Sequence, residues 1–190
     1  MAQLNTDQQI QKLEEAMRMA ERASASSDVP TRLGALVLYA GIVDFLAIQA
    51  ARLVERLVLK GQLADGKTPL FKPNEDSFFY NRKISTGRIL VGIRKFLPFT
   101  APSADISADA AHITKLAETM VADAFRFLDC RNPLLHQIGN PARTFTEVLV
   151  MADQAIAAYH AFRESHKAFF EAAAPYRFGP RELDYFYGQG

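Results

Sequence analysis

Residues 31–60 read as one helix, and this element constrains the fold more than any other feature of the chain. At about 1.5 Å of rise per residue it would extend ~45 Å. Residues 33–51 within it are apolar on nearly every side, so the helix needs cover from other helices or from lipid. Asp44 lies near the middle of that stretch, and Gln49 and Arg52 follow. Spanning a bilayer would place a carboxylate at its centre, at a cost of several kcal/mol. A central helix buried on most sides by neighbouring helices explains the same run without that penalty. Gly61, suited to a left-handed C-terminal cap, ends it.

The remaining segments supply the neighbours. Thr6 and Gln9 form a capping box for a first helix in which Ile10, Leu13, Met17 and Ala20 share a face, fading near Ala23. Residues 24–30 are a small, polar connector. Residues 61–84 contain Gly66, Pro69 and Pro73 and read as a long loop. A shorter helix is expected over residues 86–96. From Ser107, Ala111, Ile113, Leu116, Met120, Ala124, Phe127 and Leu128 recur at helical spacing. Thr144 and Glu147 make a second capping box, opening a helix to about residue 174. The tail, residues 175–190, is aromatic and is expected to fold back over the bundle. No strand pairs, internal repeats or low-complexity tracts interrupt the pattern. The expectation is an all-α, up-down bundle of about five main helices, forming one domain over residues 1–190.

Charge and cysteine content narrow the function classes. The formal net charge is +1, so nucleic-acid binding would need a local patch rather than the whole molecule. One such patch is legible: residues 77–104 contain no acid, while Arg82, Lys83, Arg88, Arg94 and Lys95 are basic and Phe78, Phe79 and Tyr80 precede them. Such a segment can track RNA, with cations on phosphates and rings under bases, or it can be a solvated helix face with its aromatics in the core. The single cysteine, Cys130, forms no intrachain disulfide. The first residues lack the basic start and apolar stretch of a secretory signal, and a reducing cytoplasm is the expected location. His112, His160 and His166 lack partners at metal-ligand spacing and are expected on the surface; no metal or other cofactor is expected.

The clearest chemical proposal is Arg131-Asn132-Pro133-Leu134-Leu135-His136, an R-N-x-x-x-H arrangement. At average residue usage this pattern arises by chance in about one chain in a hundred of this length. Histidine titrates near ~6.5 and serves as base or acid around neutrality. Arginine stays charged and grips phosphate oxygens with paired N–H groups, and asparagine can orient either partner. Pro133 is expected to break the preceding helix near residues 130–131, making Asn132 an N-cap and placing His136 on a short helix ended by Gly139 and Pro141. Free backbone N–H groups at that start would receive a phosphate. One copy offers a single imidazole, so two chains about a two-fold axis are needed to bring two histidines and two arginines to one cleft. Without a function, Arg131 would cap the preceding helix and His136 would be a packing residue.

At these residues the chain resembles the HEPN superfamily (higher eukaryotes and prokaryotes nucleotide-binding domain), whose members are helical bundles carrying an arginine, a polar residue and a following histidine. Arg131, Asn132 and His136 match that pattern. The resemblance implies a metal-independent endoribonuclease with a site built across a homodimer, acting on RNA. It also implies a place among toxins paired with an antitoxin, phage-defence proteins or RNA-guided effectors, some of them inactive binding modules. A subgroup carries a tyrosine two residues past the histidine; Ile138 stands there in this chain. Asp44 is a candidate accessory acid orienting Arg131 or His136, or else the acceptor of a structural hydrogen bond.

Overall fold

The computed structural model describes residues 6–60, 85–98 and 109–177, and the side chains of all of these except 6–10, 52, 55–56, 58–60 and 174–177. The expected loop over 61–84, the segment holding Arg82, Lys83 and the Phe78–Tyr80 aromatics, the start at Ser107, the Thr6–Gln9 box and the tail beyond residue 177 lie outside these. The fold is an all-α bundle with five helices among the described residues: α1 (Thr6–Ser24), α2 (Val29–Lys60), α3 (Thr86–Arg94), α4 (Ala110–Gln137) and α5 (Phe145–Arg177).

Helix α2 forms the spine, packed against α1, α3 and α5. It is the one described helix long and apolar enough to cross a membrane, over Val29–Ala51, and half of that window is buried within the bundle. It starts two residues earlier than its periodicity suggests because Asp28 accepts the Thr31 backbone N–H at 2.9 Å. Its carboxylate also accepts the Thr31 hydroxyl. Pro30 is tolerated there, since first-turn N–H groups have no intrahelical partner to lose. These bonds hold the Asp28 carboxyl below the usual carboxylate range.

Three contacts fix α2 against α5 in parallel register. Arg32 pairs with Asp153, Tyr39 stacks on Tyr159 with centroids 3.9 Å apart, and His166 Nε2 lies 3.2 Å from the Leu46 carbonyl oxygen. Burial pushes the Tyr159 hydroxyl up to about 12, and the Tyr39 hydroxyl upward as well. His166 is therefore a core residue, contrary to the expectation of a surface position. It falls on the α5 stripe that also carries Phe162 and Phe169, and its ring stacks on Phe170 at 4.4 Å. His112 and His160 are exposed.

Helices α4 and α5 are the most extensively packed pair, joined by the short connection 138–144. The Thr144–Glu147 capping box is formed: Glu147 Oε2 accepts the Thr144 N–H at 2.8 Å, and Thr144 Oγ1 accepts the Glu147 N–H at 3.2 Å. Arg143 adds an ion pair to Glu147. Together these hold the Glu147 carboxyl below its ordinary range, with the Thr144 backbone bond the largest cause.

The motif does not sit on a separate short helix. Helix α4 continues through Pro133 to Gln137, so Asn132 is an interior residue rather than an N-cap. The physical reason is packing on both sides of the proline. Phe127 and Leu134 are fully buried, and together they anchor the last turns of α4 in the core. The ring of Pro133 itself is exposed. The break favoured by one missing N–H is overridden by burial of these two large side chains, about 1.5–3 kcal/mol each.

Candidate functional site

A continuous helix changes what the three motif residues can do. Successive residues turn by about 100°, so Arg131 and His136 project about 140° apart around α4. Arg131 lies on the stripe shared with Met120, Ala124 and Phe127, which are buried, and is itself half-buried. His136 lies on the outer side, exposed, with no hydrogen-bond or ion-pair partner among the described residues. Asn132 is one turn before His136 and on the same face, as residues four apart are.

Arg131 Nη1 donates to Asn132 Oδ1 at 3.2 Å. Arg131 is not neutralised by a carboxylate among the described residues. Its remaining N–H groups are available to an anion, and His136 has both ring nitrogens free for proton transfer. No helix begins at Asn132, so the backbone anion site expected there is absent. The last turn of α4 presents carbonyl oxygens instead, so the Arg131 guanidinium is the cationic group the motif offers.

Past the motif, the connection is tied down locally. Asn140 Nδ2 donates to Gln137 Oε1 at 2.8 Å, and Asn140 Oδ1 accepts the Ala142 N–H at 3.0 Å. Around it lie large apolar side chains left in solvent: Leu135 is 43 % exposed, Ile138 46 % and Phe145 75 %. Cys130 is half-buried and its thiol unpaired.

Asp44 is exposed on α2 and accepts a hydrogen bond from the Thr86 hydroxyl at the start of α3. That bond ties α2 to α3, and no bond from Asp44 to Arg131 or His136 is present. Of the basic candidates, Arg88, Arg94 and Lys95 are described, and all three are exposed on or just after α3. The Arg94 guanidinium carbon sits 4.6 Å from the centre of the Phe125 ring on α4. Sequence spacing gave no signal for that contact, because the two residues belong to different helices. Among the described residues no group of three or more His, Cys, Asp or Glu side chains is placed to hold a metal. Comparison of the chain with protein-family models, with curated proteins and with solved structures returned no match.

Proposed function

We propose that the protein is a metal-independent endoribonuclease of HEPN type, acting as a homodimer. The observation that carries this reading is the R-N-x-x-x-H triple on the last turns of α4. Its imidazole is exposed, and its guanidinium bonds Asn132, which stands one turn before His136 on the same face. In the reaction, the 2′-oxygen attacks the adjacent phosphorus while a histidine takes its proton. The bond from phosphorus to the 5′-oxygen breaks, and an acid supplies the proton that oxygen needs. The products are a 2′,3′-cyclic phosphate and a 5′-hydroxyl, and no water is consumed. Arg131 neutralises charge on the phosphorane, and Asn132 positions Arg131.

One chain holds a single imidazole in this region, whereas the reaction uses a base and an acid. A second copy supplies the other. The exposed Leu135, Ile138 and Phe145 beside the motif give the apolar surface that such an association would cover. A toxin or phage-defence role, with an antitoxin or effector as partner, follows from the same family resemblance.

A second reading draws on the same apolar side chains: a non-catalytic module binding a protein or nucleotide through the surface that a dimer would form there. The two separate in one assay. The ribonuclease reading predicts cleavage of single-stranded RNA in EDTA, no cleavage of DNA, and a loss of about 10²–10⁴-fold in His136→Ala. Parental rates in His136→Ala would remove the catalytic assignment. A purified dimer with no cleavage, in which Arg131→Ala still weakens partner binding, would favour the module.

A further inference from the structure

Helix α3 buries Ile89, Leu90 and Ile93 and turns Arg88, Val91 and Lys95 outward, with Arg94 at the edge that meets α4. None of the three cations is ion-paired with a carboxylate among the described residues. Arg94 lies over Phe125, which lends the ring face to the cation and leaves the guanidinium N–H groups open. Phe125, Asn132 and His136 share one side of α4, Asn132 and His136 each about 20° from Phe125 around the axis, on opposite sides of it. Phe125 and His136 are about 16 Å apart along it.

We propose that Arg88, Arg94 and Lys95 form an extended phosphate-binding subsite for single-stranded RNA, leading the strand along α4 to the linkage held at Arg131. This rests on the ribonuclease reading of the motif. A strand that keeps helical stacking advances ~3.4 Å per nucleotide, as each strand of a duplex does, and covers that spacing in about five nucleotides, so the subsite engages it only when the RNA extends that far from the scissile linkage. Charge complementarity selects the occupant: α3 and the residue after it hold no acid and carry three cations with no carboxylate partner among the described residues, which matches a polyanion. Asp129 stands about 40° to one side of Phe125, so the strand runs on the Asn132 side of the helix.

The test is binding, measured by fluorescence anisotropy with single-stranded RNA of twelve and of four nucleotides, in a His136→Ala background so that the probe stays intact. The Arg88→Gln/Arg94→Gln/Lys95→Gln variant is expected to bind the longer RNA roughly tenfold more weakly at low salt. Its log-affinity against log-salt slope should fall by about 2, from ~0.7 per lost phosphate contact. The shorter RNA should lose much less. Because Arg94 packs on Phe125, Arg88→Gln/Lys95→Gln is measured beside it and should lose about two thirds of the slope change. Unchanged affinity and slope for the longer RNA in both variants overturn the subsite. Wild-type cleavage of RNA, scored separately, shows whether the motif's own assignment stands or falls.

Discussion

Replacing Pro133 with alanine tests the local structure on which the site depends. In a helix interior a proline lacks the N–H that would bond the carbonyl four residues earlier, here that of Asp129, and its ring crowds that carbonyl. The penalty is about 3 kcal/mol. Helix α4 runs through Pro133, and the ring is exposed, so Pro133→Ala restores the bond and opens no cavity. The unfolded chain gains freedom with alanine, which offsets about 0.4–1 kcal/mol. The net expectation is stabilisation by about 2 kcal/mol, or a rise in Tm of about 4–8 °C for a chain of this size. Thermal and urea unfolding followed by circular dichroism at the helix band measure it. A helix newly starting at Asn132 would instead use Pro133 as a favourable first residue, and alanine there would be neutral or destabilising. A Tm that is unchanged or lowered would therefore refute the continuous helix and the 140° relation derived from it.

Leu134→Ala, at a fully buried position in the same turn, should destabilise by about 2–5 kcal/mol and lower Tm accordingly, whereas Leu135→Ala, exposed, should change it little. Asp28 and Glu147 are both held below the usual carboxylate range. Their contribution is complete above the unfolded carboxylate pKa near ~4 and is lost as pH falls through the folded values. The Asp28→Asn/Glu147→Gln variant should show a shallower drop of Tm with acid than the parent, and parallel curves would contradict this. Tyr159 is pushed up to about 12, so its folded form favours the neutral phenol. Stability from it is present below the ordinary phenol range and is lost as pH rises above it. Absorbance titration should find at least one tyrosine that ionises only as the protein unfolds in alkali. Asp44→Asn, which weakens the bond from Thr86, should lower stability modestly and leave RNA cleavage at the parental rate.

The sequence displayed the helices because their apolar spacing is local. The Thr144–Glu147 box is another local signal, and it marked the start of α5 to the residue. Where the structure departs from expectation, tertiary packing outweighed a local rule. Pro133 should end a helix, yet Phe127 and Leu134 hold the turns on either side of it in the core. The connector before α2 is shorter than composition suggested, because Asp28 caps a turn that contains Pro30. His166 reads as a solvent histidine only if the α5 stripe is ignored; its position relative to Phe162 and Phe169 places it inside. Contacts between elements, such as Arg94 over Phe125 and Asp44 with Thr86, have no periodicity to announce them. The motif was legible as three residue types at one spacing. The shared face of Asn132 and His136, and the bond that Arg131 makes to Asn132, depend on the helix being unbroken, and that emerged only from the fold.

The central chemical claim is attack by the 2′-oxygen without a metal, and the 3′ end of the product tests it most directly. Wild-type protein is incubated with an end-labelled RNA in excess EDTA, and the fragment mass is determined. A matched RNA carries a single 2′-deoxy residue at the preferred cleavage position. Attack by the 2′-oxygen leaves a 2′,3′-cyclic phosphate terminus on the all-ribose strand and makes no cut at the substituted residue. Continued cleavage at the deoxy position, or fragments ending in a 3′-hydroxyl, would contradict it.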